Sequence, residues 1–346
     1  MVTMTKGKFD NINAVATQNG IIAAAAMDQR GSLRKSIATE KGIDPTDVTD
    51  RMMEEFKTAV TTILSPYASA MLLDPVWGLK GAASRAKGCG LLLAYEESGY
   101  DNTEGARLPI LMKDWTVRRL KEAGANCCKI LMYYTPFDTP AVNAQKQAWV
   151  ERIGCECALH DVPFFLEFVG YANDGTGEKS VEFARRKPEV VRRSMEEFNK
   201  PRYYVDVMKV EVPVNMQFVE GSRCFANKGA AYTKREAIEL FRTVAHATTK
   251  PFIYLSAGVS DAEFRESLEF AIEAGVPFNG VLCGRATWKD GIPVYAKEGL
   301  PALERWLADR GVKNIQALNA ILERGATPWW EAYGGKEKIH CTNSPV

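Results

Sequence analysis

The chain has 346 residues, with 44 Lys plus Arg against 43 Asp plus Glu, and 46% of its residues are hydrophobic and 25% charged. These are the proportions of an ordinary globular protein, and a formal charge of +1 without a Lys/Arg run offers no basic stripe for nucleic-acid phosphates. No apolar stretch approaches the roughly 20 residues that cross a bilayer, and Met1 to Asp10 lacks the apolar core of a signal peptide, so the sequence reads as cytoplasmic.

In chain order, residues 1–14 read as a mobile lead-in. The first strand is predicted over Ile21 to Asp28, where small alanines give way to Asp28-Gln29-Arg30-Gly31. Asp28 could hold a lysine or a substrate hydroxyl, and it could equally cap a helix beginning near Ser32. Apolar runs at Ala70 to Asp74 and Gly90 to Tyr95 predict the second and third strands, and Leu111 to Ala123 has helical length and mixed polarity.

The fourth strand, Cys127 to Tyr134, alternates so that Cys127, Lys129, Leu131 and Tyr133 share a face. A helix follows over Ala144 to His160. The fifth strand, Pro163 to Phe168, puts Phe165 and Glu167 together, and a helix is predicted over Glu189 to Phe198. The sixth, Val205 to Val212, aligns Val205, Val207, Lys209 and Glu211. The seventh and eighth, Phe252 to Ser256 and Gly280 to Gly284, are interleaved with helices over Lys234 to Ala247 and Ala262 to Ala274. Eight strands with helices between them predict an α/β protein, a single (β/α)8 TIM barrel over about residues 15–325. Residues 326–346 form a tail whose Trp329, Trp330 and Tyr333 should dock on the barrel or on a neighbouring subunit, which makes a homo-oligomer plausible.

Active sites of this fold lie at the carboxyl ends of the strands. Burying a charge there costs several kcal/mol unless it is paired or functional. Adjacent strands would aim Lys129, Glu167 and Lys209 at one cavity. A lysine in a low-dielectric pocket beside a second ammonium has its neutral amine favoured and becomes a nucleophile, which points to imine chemistry on a carbonyl substrate. The seventh and eighth strands end in Leu255-Ser256-Ala257-Gly258 and Cys283-Gly284-Arg285-Ala286. Loops after these two strands are the usual phosphate site of the fold. Three histidines lie far apart and eight cysteines contain no CxxC, so no zinc site is expected and the thiols should be free.

The motifs MDQRG (27–31), LLDPVWG (72–78), RIGCEC (152–157), PFFLEF (163–168), VDVMKVEVPVN (205–215), YLSAGVS (254–260) and GVLCGRATW (280–288) together resemble the tagatose 1,6-bisphosphate aldolase family over about residues 18–322. The resemblance implies a class I, metal-independent aldolase without a cofactor. Such an enzyme cleaves a phosphosugar substrate to dihydroxyacetone phosphate and glyceraldehyde 3-phosphate. It implies Lys209 as the Schiff-base lysine and Glu167 as the general acid/base. Asp28, Gln29 and Lys129 would line the pocket, with Ser256, Gly258, Gly284 and Arg285 in the phosphate-binding turns. Thr135 to Val142, Phe225 to Ala231 and the Trp-rich tail match no family motif, and the first two should sit on the catalytic face. A related aldolase for 6-deoxy-6-sulfofructose 1-phosphate shares the lysine motif and the turns. A non-catalytic sugar-phosphate sensor and an imine-forming lyase for a keto-acid phosphate, with Arg30 on the carboxylate, are the other readings.

Overall fold

The computed structural model describes residues 2–98 and 106–343. Eight parallel strands close into a barrel: β1 Ile22–Ala26, β2 Ala70–Leu73, β3 Gly90–Ala94, β4 Cys127–Tyr133, β5 Phe164–Val169, β6 Val207–Glu211, β7 Phe252–Leu255 and β8 Gly280–Cys283. Their order around the barrel is their order in the chain, and β8 pairs with β1 to close it. All eight strands fall where the apolar runs placed them, because each is a short apolar run between breakers.

Side chains with period two divide the barrel into two cores. Ala24, Leu72, Leu92, Cys127, Phe165, Val207, Ile253 and Leu282 point inward and pack together. The alternate residues, such as Met71, Leu91, Cys128, Leu166, Met208 and Tyr254, pack outward against the helices. The inward faces of β4, β5 and β6 therefore continue, two residues on, into Lys129, Glu167 and Lys209. Register sets their depth: Glu167 lies opposite Lys209 and Leu131, whereas Lys129 lies opposite Phe165 and so sits lower.

Helices depart more from expectation. The one predicted over Leu111 to Ala123 forms only at Val117–Glu122, because the Thr116 side chain accepts from the Arg119 amide and starts it there, while Leu111 bridges to Glu96. The one predicted from Glu189 starts at Val181 and contains Pro188. Proline has no N–H to donate within a helix; here the buried stripe of Phe183, Val190, Val191, Met195 and Phe198 carries the helix through it. The lead-in forms a strand and a helix. Val2–Thr5 pairs in parallel with Ile339–Thr342, and the helix Lys6–Ala14 places Ile12 under the barrel's inner core. Trp329 is fully buried in the same cluster, edge-on to Phe9 at 5.5 Å and donating from Nε1 to Asn13 at 3.1 Å. The aromatic tail thus docks on the floor of its own barrel. No helix among the described residues is long and apolar enough to cross a membrane.

Candidate active site

At the carboxyl ends of the strands a cavity of about 590 Å³ opens, and Ala26, Leu131, Leu255 and Leu282 are among its apolar lining residues. The alanines of β1 contribute to this space, since larger inward side chains would fill it. Asp28, Gln29, Glu167, Lys209, Ser256, Gly258, Gly284 and Arg285 all line it. Lys129 is fully buried beneath them.

Charge is concentrated on the cavity floor. Lys129 Nζ lies 2.8 Å from Asp28, 2.9 Å from Glu96 and 2.8 Å from Glu167. The oxygen of Glu167 that meets Lys129 also stands 2.9 Å from Lys209 Nζ. One carboxylate oxygen therefore bridges two ammonium groups. Burial disfavours a charged Lys129, yet the three surrounding carboxylates overcome it and hold its pKa well above the usual lysine value. Burial likewise disfavours an ionised Asp28, but Lys129 and Lys209 hold that carboxyl well below the usual range. Glu96 differs, because burial outweighs the pull of Lys129 and Arg30 and pushes its pKa up. Among the described residues no three His, Cys, Asp or Glu side chains are grouped to hold a metal ion.

Asp28 does not cap a helix. The helix after β1 runs over Gly31–Lys41 from Arg30 as its N-cap, with no side-chain cap, and Asp28 is turned to Lys129. What fixes that turn is a residue the sequence reading passed over. Lys57, fully buried, donates to the carbonyls of Met27 at 2.7 Å and Gln29 at 2.8 Å and to Asp74 at 2.6 Å. The other oxygen of Asp74 accepts from the amides of Val76 and Trp77. One buried ion pair thereby ties the MDQRG loop to the LLDPVWG loop. Lys57 was findable: it lies on the apolar face with Met53, Phe56, Val60 and Leu64. Glu96 was findable too, two residues beyond Ala94 along the period-two face of β3.

On the opposite wall, Ala257 and Gly258 both have positive φ, 49° and 79°. A Cβ on Gly258 would come within 2.8 Å of the Arg285 guanidinium. The two turns therefore touch, and Arg285 lies against bare backbone. Gly258→Ala is expected to cost about 1 kcal/mol from the left-handed backbone alone and to displace Arg285; thermal unfolding would check the first, and an unchanged midpoint would mean the loop relaxes freely. Of the two loops expected on the catalytic face, neither lines the cavity. Asp138 in the first meets Lys146 at 3.3 Å and is bonded by Tyr171, over whose ring Arg107 stacks.

A family model described as DeoC/LacD family aldolase matches residues 11–290. The chain belongs to this aldolase family. Its relatives include the tagatose 1,6-diphosphate aldolase of Listeria monocytogenes, 47% identical over 98% of both chains. Tagatose 1,6-diphosphate aldolase 2 of Enterococcus faecalis is 50% identical, over 95% of this chain and 97% of that protein. Among solved structures, fructose-bisphosphate aldolase from Plasmodium falciparum superposes with a TM-score of 0.64 at 15% identity, over 91% of this chain and 96% of that one. A Schiff-base-forming fructose-1,6-bisphosphate aldolase gives 0.53 at 13% identity, over 91% and 99%. At such identities these two likenesses speak for the DeoC/LacD chain's barrel fold.

Proposed function

We propose that the chain is a class I aldolase that reversibly cleaves a ketohexose bisphosphate, foremost tagatose 1,6-bisphosphate, to dihydroxyacetone phosphate and glyceraldehyde 3-phosphate. The observation that carries this reading is the single Glu167 oxygen between Lys209 and Lys129 on the cavity floor. The names of the family's relatives supply the sugar.

Lys209 passes a proton to Glu167, and its free amine attacks the C2 ketone to give a carbinolamine. Glu167 returns the proton to the departing hydroxyl, water leaves, and the protonated imine becomes the electron sink. Removal of the C4 hydroxyl proton by Glu167 breaks the C3–C4 bond. The electron pair moves into the enamine and the aldehyde leaves. Protonation at C3 and hydrolysis of the imine release the ketone and restore Lys209. Lys129 stays charged and fixes the position of Glu167. Asp28, held as an anion, accepts hydrogen bonds from substrate hydroxyls and is not a proton carrier. The turns of Ser256 to Gly258 and Gly284 to Arg285 take the phosphate next to the ketone, where exposed amides and a guanidinium complement it.

Borohydride reduction with dihydroxyacetone phosphate in the presence of EDTA, followed by peptide mass spectrometry, tests this. A stable adduct on Lys209 is expected. An adduct on Lys129, or none on any lysine with turnover also absent, would overturn it.

A further inference from the structure

The two strands that carry Glu167 and Lys209 part company just above them. β5 and β6 pair from Phe165 opposite Val207 to Glu167 opposite Lys209, and their register ends there. Each strand runs on with its other neighbour, β5 with β4 as far as Val169 opposite Tyr133, and β6 with β7 as far as Glu211 opposite Leu255. Glu167 and Lys209 thus face each other across the last rung of the ladder that joins their strands.

A side chain spans the gap beyond it. Glu211 lies two residues past Lys209 on the same face, and one of its oxygens accepts from the Gly170 amide at 2.7 Å, immediately after the end of β5. Its other oxygen stands 3.2 Å from Nζ of Lys187, which is carried by the helix Val181–Phe198. Glu211 is 7% exposed, and a carboxylate so buried is costly unless it is paired. Its two partners come from the end of β5 and from the helix that follows. Gly170 is fitted to this contact: a Cβ there would come within 2.8 Å of Val190 and 3.4 Å of the Glu211 carboxylate. Val169 and Leu255 beside it line the cavity, whereas Glu211 itself does not. Glu211 therefore acts on the strands and not on the substrate.

We infer that Glu211, gripped by Lys187, is a positioning residue: it stands in for the missing rungs between β5 and β6 and so sets the separation of Glu167 and Lys209, 2.9 Å apart. The inference rests on the aldolase reading above. Proton transfer within that pair needs hydrogen-bond contact, and a displacement of about 1 Å can lower a rate on the order of 10²-fold.

The test uses the full chain and its Glu211→Met, Glu211→Gln and Lys187→Met variants. Three quantities are measured on each: kcat and KM for tagatose 1,6-bisphosphate, the rate at which borohydride traps dihydroxyacetone phosphate on Lys209, and the thermal midpoint. In Glu211→Met, kcat and the trapping rate should fall together on the order of 10²-fold, with KM changed by less than about threefold because no substrate contact is lost. Glu211→Gln keeps an acceptor for the Gly170 amide and should recover to within about tenfold of the parent. Lys187→Met, altered at the outer end of the contact, should lower kcat several-fold, and it decides the matter if Glu211→Met does not fold. A merely structural role would lower the midpoint and leave kcat of the folded protein unchanged. Parent-like kcat in Lys187→Met or in folded Glu211→Met, equal losses in Glu211→Met and Glu211→Gln, or a loss confined to KM would overturn the positioning role and leave the aldolase assignment intact. A parent that forms no adduct on Lys209 would instead remove the aldolase reading, and this role with it.

Discussion

Lys209→Met is expected to lower turnover by about 10⁴-fold or more while the barrel stays folded. Methionine has nearly the length of lysine and fills the same space, so no cavity is made. Glu167 keeps its second ammonium, Lys129 at 2.8 Å, so no carboxylate is left buried and unpaired. What disappears is the only step that converts the ketone into an electron sink. Loss of a nucleophile is not made up by the remaining groups, which act as a unit with it. Steady-state cleavage, borohydride trapping and thermal unfolding on one preparation would check this. A folded variant that still turns over would transfer the nucleophile assignment to Lys129.

Lys129→Met should do the reverse, damaging the fold as well as the rate. It leaves Asp28, Glu96 and Glu167 around an apolar side chain. Removing one partner from a buried ionic group costs about 3–5 kcal/mol, and turnover should fall on the order of 10²–10³-fold because Glu167 loses the group that positions it. The pH dependence gives this its sign. In the parent, Asp28 has a lowered folded pKa, so its contribution is present above the unfolded carboxyl value of about 3.9 and is lost as pH falls. Lys129 has a raised one, so its contribution is present below about 10.4 and is lost only as pH rises through the folded value. In the variant the crowded carboxylates take up protons on folding, and stability rises as pH falls. Urea unfolding at pH 7 and pH 5 should therefore show the gap between parent and variant narrowing at pH 5. An equal gap at both would mean the three carboxyl groups do not depend on Lys129 for their charge.

The strands were legible because their signal is local: an apolar run, a breaker, and alternation that carries Lys129, Glu167 and Lys209 inward with Cys127, Phe165 and Val207. The placement of Asp28 was half legible, since the same residue suits a helix cap, and only the distant Lys129 decides between the two. Lys57 and Asp74 were harder. Each belongs to a different unit, and their pairing at 2.6 Å is a product of closure, not of any pattern along the chain. The lead-in was misread for a similar reason. The strand that pairs with Val2–Thr5 lies more than 300 residues along the chain, so nothing nearby in sequence announces that it is a strand. Helix starts were missed where a threonine or serine cap, as at Thr116 and Ser180, overrides the length of the amphipathic pattern.

The floor of the barrel has a consequence for how the molecule is made. It is assembled from Val2–Thr5, the helix behind it, Trp329 and Ile339–Thr342. At the usual pace of a ribosome, about 5–20 residues per second, the first of these waits on the order of tens of seconds for the last. Phe9, Ile12 and Val15 must spend that interval without their final cover, next to a barrel whose own strands are still arriving. Pairings of such long sequence separation are slow to form and late to be rewarded. The opening helix is thus the segment a nascent-chain chaperone would have most reason to hold, and its release marks the completion of the fold.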